Sequence, residues 1–91
     1  MTTVADVPVT NTAYVNLNSA SGIITGVPLV IQNKGSSPVH VIINPTQPSA
    51  SSENGFVIDS LKSIIIENET QIVWARAAHP GTAKLSVQPY V

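Results

Sequence analysis

The sequence predicts an all-β domain, a small antiparallel β-sandwich or partly open barrel of about seven strands with an extended N-terminal arm. Three observations carry this expectation. Val, Ile and Thr fill short apolar runs, the composition of half-buried strands. Gly, Pro, Asn and Ser separate those runs at the spacing of turns. Nowhere do Ala, Leu and Glu keep helical spacing for more than two turns, so helix signals are nearly absent.

Residues 1–12 read M-T-T-V-A-D-V-P-V-T-N-T, with no turn chemistry and few core candidates. They are expected to form an arm that is disordered alone or docks onto a neighbour through Val4, Val7 and Val9. Deleting them is then expected to weaken docking and leave the fold intact. Residues 13–91 form the single β domain, with strands near 13–17, 27–32, 39–43, 56–58, 63–67, 71–77 and 83–88. The last alternates most cleanly, Ala83, Leu85 and Val87 facing one way and Thr82, Lys84 and Ser86 the other. In 39–43, Val39, Val41 and Ile43 share a face opposite His40 and Ile42.

Residues 71–77 break that pattern. Ile72, Trp74 and Arg76 share one face while Val73, Ala75 and Ala77 line the reverse, and Ile64, Ile65 and Ile66 are likewise apolar on both sides. Such strands either lie centrally or have one face covered by another copy of the chain. We favour the second, which makes Tyr14, Ile72, Trp74 and Arg76 interface candidates beside the valines of the arm.

Turn chemistry is legible between the strands. N-K-G-S-S-P at 33–38 fits a type I turn closed by Gly35 in the left-handed region, a bulged hairpin with Pro38 opening the next strand. His79-Pro80-Gly81-Thr82 fits a type II turn in which Gly81 supplies the positive φ. Residues 67–70 read as a tight polar reversal. Residues 44–55, N-P-T-Q-P-S-A-S-S-E-N-G, form the longest structureless stretch, an exposed loop mobile at its tip, and loops of about 12 residues often have a job. There is no internal repeat.

At 91 residues the chain supports one core but no deep enclosed active site. Hydrophobic residues make up 43% and charged residues 10%, against roughly 25% charged in an average domain. The outward faces are therefore neutral. The formal net charge is −1, and Lys34, Lys62, Arg76 and Lys84 are scattered, which sets nucleic-acid binding aside. There is no cysteine, hence no disulfide and no thiolate metal site. The first residues lack a secretory pattern, and no apolar run approaches the ~20 residues of a membrane span. Synthesis in the cytoplasm is the expectation.

Candidate chemistry fails at each test. A phosphate loop needs glycines ahead of Gly-Lys-Ser/Thr and a helix after it; here Lys34 precedes Gly35 and a strand follows. A Ser–His–acid arrangement could draw only on His40, His79, Asp6 and Asp59, with no nucleophile elbow. Two distant histidines and five scattered acids give no metal-ligand cluster. Glu53, Asp59, Glu67 and Glu69 sit beside turns, and nothing pairs them as glycosidase carboxylates. Asn68-Glu69-Thr70 matches the glycosylation sequon, expected to be silent without a signal peptide. For sugar binding, only Trp74, Tyr14, Tyr90 and Phe56 are available as a platform, and Trp74, mid-strand between Val73 and Ala75, favours a core or interface position over an exposed one. No enzyme activity, cofactor or metal is expected.

With these elements in place, the chain resembles a recurrent kind of small β-sandwich among virion structural proteins of tailed bacteriophages. The resemblance rests on I-Q-N-K-G-S-S-P-V-H-V from 31 to 41, the strand pair within 55–67, I-V-W-A-R-A at 72–77 and G-T-A-K-L-S-V at 81–87. It spans roughly residues 27–87, and the arm has no distinctive match. It implies a non-catalytic structural component, with capsid decoration (cement) proteins the favoured subset: short, commonly trimeric, and often gripping the shell with an N-terminal arm. The implied partners are the major capsid protein or another virion protein and further copies of the chain, a trimer being favoured, with neither nucleic acid nor membrane involved. The implied location is the virion. Such a protein works by burying about 800 Å² per partner across capsomer boundaries. A tail, neck or head-fibre component fits the same residues. A small carbohydrate-binding β-sandwich module is the competing reading, and it predicts a monomer with Trp74 exposed in a groove.

Overall fold

Alternation in the sequence becomes alternation in burial. In the computed structural model, which describes residues 4–67 and 70–90, eight strands and one helical turn follow in order. These are β1 (Val7–Thr10), β2 (Val15–Asn16), α1 (Leu17–Ser21), β3 (Leu29–Asn33), β4 (Val39–Ile43), β5 (Phe56–Ile58), β6 (Ser63–Ile66), β7 (Val73–Ala77) and β8 (Thr82–Pro89). They form two four-stranded antiparallel sheets, in the orders β1-β8-β3-β6 and β2-β7-β4-β5. The first strand pairs with the eighth, the second with the seventh, the third with the sixth and the fourth with the fifth. This is a long antiparallel ribbon folded over on itself, the jelly-roll form of a sandwich. The β3–β8 and β4–β7 pairs stitch the folded ribbon into sheets.

The core lies between the sheets. Val7, Val9, Leu29, Ile31, Ile66, Ala83, Leu85 and Val87 come from the first sheet, facing Val39, Val41, Ile58, Val73, Ala75 and Ala77 of the second. Leu17 of α1 joins the same core. This single helical turn has only weak signals in the sequence. The Asn16 side chain caps it by accepting from Ser19 N at 2.9 Å, and Gly22 at φ 76° closes it. Buried Asn18 then docks the turn, its Oδ1 accepting from Val73 N at 2.9 Å and its Nδ2 donating to Ile23 O at 3.0 Å.

The expected arm is part of the domain. Val7–Thr10 pairs along β8 and buries Val7 and Val9, while Gln88 brackets Val4 by accepting from its N–H and donating to its carbonyl. V-P-V-T alternates like any half-buried strand, and Pro8 is tolerated because β1 is an edge. Residues 1–3 lie outside the described residues, as do Asn68 and Glu69 of the expected reversal and sequon.

Residues 33–38 are not a hairpin. β3 and β4 lie in different sheets, so the segment is a crossover, and Gly35 is absent from the described residues at positive φ. Its lack of a side chain serves close approach instead. A Cβ at Gly35 would come within 3.1 Å of the Ala83 side chain on β8. The fully buried Asn33 side chain holds the crossover, donating to Ser37 O at 2.8 Å and Ile58 O at 2.9 Å and accepting from Gly35 N at 2.9 Å. By contrast Gly81 does adopt positive φ, 113°, in the β7–β8 turn. Only β4 and β5 are both consecutive and neighbours in one sheet, joined by residues 44–55. No helix among the described residues is long and apolar enough to cross a membrane.

Three outcomes in urea denaturation test this architecture. Leu85→Ala is expected to cost about 2–5 kcal/mol through a core cavity. Asn33→Ala leaves buried carbonyls and an N–H without partners, each costing roughly 1–3 kcal/mol. Deleting residues 1–10 removes an entire strand and is expected to abolish the cooperative transition, whereas a detachable arm would leave the midpoint unchanged.

Candidate functional site

β7 is buried on both faces because it is central in its sheet and covered from outside by the chain itself. On the outer face of the second sheet, Trp74 stands between Asn16 and Ile42, and Arg76 stands beside His40, which in turn adjoins Val57. Residues 44–55 cross this face as a strap. Trp74 Nε1 donates to Asn44 O at 2.9 Å, Tyr14 Oη donates to Ser52 O at 2.5 Å, and Gln47 Nε2 donates to Tyr14 O at 2.8 Å. Tyr14, Ile42 and Trp74 form a second apolar cluster beneath it, with Ile72 packed alongside.

Of the sequence-derived interface candidates, Tyr14, Ile72, Trp74 and Arg76 therefore come together, under a strap of the same chain. The expectation that a second copy covers this face is replaced by that observation. Val4, Val7 and Val9 lie apart from them, on or before β1 of the first sheet. Trp74 is only 9% exposed, so it offers no sugar-binding platform. The strap was hard to foresee because, Gln47 apart, it binds through its backbone carbonyls, which leave no mark on residue type. Its length was the available signal.

Arg76 is 7% exposed and has no carboxylate partner; the ion pair among the described residues is the surface pair Lys34–Asp6 at 2.7 Å. Its guanidinium lies 5.3 Å from the Tyr14 ring centroid, within cation–π range, and donates to Ala77 O at 3.1 Å and Ser52 O at 3.4 Å. Arg76 Nε and His40 Nδ1, side chains on directly paired residues, are both buried without hydrogen-bond partners.

The strap leaves a depression of about 630 Å³ against β4 and β5, lined by Ile42, Ile43, Asn44, Pro48, Ser49, Ser52, Asn54, Gly55 and Phe56. Gly55, at φ 96°, is required there, since a Cβ would collide with the Val41 carbonyl oxygen. A smaller hollow of about 170 Å³ lies between the crossover at Ser36–Ser37 and the β7–β8 turn, lined also by His79 and Thr82. No carboxylate lines it, so its serines and histidine do not assemble a triad. Among the described residues no three His, Asp or Glu side chains converge as a metal site.

No protein-family model, curated protein or solved structure matches this chain. Fold and site together define a class: an all-β jelly-roll sandwich whose second sheet is covered by its own β4–β5 loop.

The strap predicts two measurable properties. Trp74 is the only tryptophan, and its emission should be blue-shifted and poorly quenched by acrylamide. Tyr14→Phe removes the hydroxyl bond to Ser52 and is expected to cost about 1 kcal/mol. Hydrogen exchange at Ser52, whose N–H donates to Ser49 O, should quicken in that variant.

Proposed function

We propose that this chain is a non-catalytic structural protein of a bacteriophage virion, in particular a capsid decoration (cement) protein that binds the head surface as a homo-oligomer. The observation that carries the reading is the unguarded side of the sandwich formed by β5 and β6. Both are edge strands joined by residues 59–62. Edge strands in soluble proteins are normally blunted by charge, proline or brevity. At the opposite edges β1 carries Pro8 and β2 has two residues. β5 is short, at three residues, but β5 and β6 read F-V-I and S-I-I-I, with neither charge nor proline, and Val57 and Ile65 are about half exposed.

Leu61 sharpens the case. It sits between these strands at φ 63° and is 70% exposed. A branched apolar residue in the left-handed region costs about 1–2 kcal/mol, and Gly or Asn would serve a turn better. A strained, solvent-facing leucine beside two open edges is explained if a partner buries it. Jelly rolls also recur as the building unit of viral capsid and lectin domains, which supports a virion role without carrying it. Attachment is assigned to this side rather than to an N-terminal arm, since residues 7–10 are committed to β8.

The test uses heads of the encoding phage prepared without this protein. Wild-type chain should co-sediment with them, run as an oligomer in light scattering, and raise their resistance to heat. Leu61→Asn with Ile65→Lys removes the apolar side at positions compatible with their backbone and should weaken head binding about tenfold or more, with the denaturation midpoint retained. Failure of the wild type to bind heads, or equal binding by the double variant, would refute the proposal.

A further inference from the structure

We infer that the depression between residues 44–55 and the β4–β5 pair is a binding site for a short uncharged oligosaccharide. This goes beyond head attachment and does not rest on it. The lining contains no charged side chain, which argues against phosphate, carboxylate or amine ligands. Arg76, which has no carboxylate partner, spends its Nη groups on Ala77 O and Ser52 O beneath the strap.

The polar lining is made of amides and hydroxyls, which both donate and accept, as the adjacent hydroxyls of a pyranose ring do. Several are free for a ligand. Asn44 engages Thr46 through Nδ2 and keeps Oδ1. The Asn54 amide and the Ser52 hydroxyl bind no other described residue. An apolar peptide seated here would leave these groups unpaired, at a cost. Phe56, 50% exposed, also lines the depression, and with Ile42, Ile43 and Pro48 it adds apolar surface for the C–H groups of a sugar.

The site is also held in shape before any ligand arrives. Trp74 and Tyr14 tie both ends of the strap at Asn44 and Ser52, and Pro45 and Pro48 limit its backbone freedom. Pre-ordering reduces the entropic cost that loop sites otherwise incur. A volume of about 630 Å³ lies within the roughly 300–1,000 Å³ of small-molecule sites.

The experiment is an amide-resolved NMR titration of the full chain with maltotriose, cellotriose and chitotriose, each taken to millimolar concentration. At least one sugar should shift resonances confined to Asn44, Ser52, Asn54, Gly55 and Phe56. Asn54→Ala and Phe56→Ala should each weaken that binding about tenfold while leaving the remaining spectrum in place. Three results would overturn the inference: no shifts with any of the three sugars, shifts spread away from the depression, or unchanged affinity in both variants. Shifts at Phe56 that depend on protein concentration alone would also overturn it, showing that another copy occupies the rim. Head binding by Leu61→Asn/Ile65→Lys is read separately, so either proposal can fail without the other.

Discussion

The Asn33 side chain ties together two crossovers of the sandwich, β3–β4 and β5–β6, and the sheets they connect. It lies at the end of β3 in the first sheet, yet donates to the carbonyl of Ile58 on β5 in the second and to Ser37 in the crossover between β3 and β4. Its own backbone binds Lys62 O and accepts from Leu61 N, which fixes the β5–β6 crossover too. One fully buried amide thus helps position both crossovers, which Ser60 Oγ also joins by donating to Gly35 O at 2.6 Å. The Asn33 side-chain oxygen and nitrogen are both satisfied, as a buried polar group requires. The strained backbone of Leu61 is held by this network, so the apolar tip on the open side is a consequence of the same clamp.

A folded-over ribbon imposes a second requirement. Because strands alternate between sheets, only β4 and β5 are left as a same-sheet neighbouring pair in sequence, and their connection is free to be long. That loop lies back over the sheet it leaves and covers Trp74 and Tyr14. β7 can therefore be apolar on both faces without a second copy of the chain. The two-faced character of β7 and the length of the loop are one fact seen from two sides.

The surface then divides by how each edge is treated. β1 and β2 are blunted by a proline and by brevity, while β5 and β6 carry neither charge nor proline within the strands and flank the connection that holds Leu61. Sheet edges left open in this way invite other chains, and selection against aggregation makes such neglect informative. The depression beside β5 has a different character, uncharged, with Ile42, Ile43, Pro48 and Phe56 set among amides and hydroxyls. A protein with one apolar side and one hydroxyl-matching hollow can attach by the first and present the second.

Much of the fold was legible in residue order. The strand segments from β3 to β8, the inward rows of β4 and β8 and the positive φ of Gly81 follow from local periodicity and turn chemistry. The candidate site was legible only in part: Tyr14, Ile72, Trp74 and Arg76 do gather, but the lining of the depression was seen merely as a long loop. Residues 33–38 show why the rest was hidden. Asn-Lys-Gly is good hairpin chemistry, and nothing within six residues states that the next strand belongs to another sheet. The sequence by itself determined where β3 to β8 run and which of their side chains face inward, because a period of two is written between adjacent residues. It predicted a strand over 13–17, where β2 stops at Asn16 and a helical turn begins. Only the tertiary structure decided the sheet each strand joins, the strap over β7, the strand made from residues 7–10 and the close approach that Gly35 serves. Those depend on pairings between distant segments, such as β1 with β8, whose energy exists only once the whole ribbon has folded.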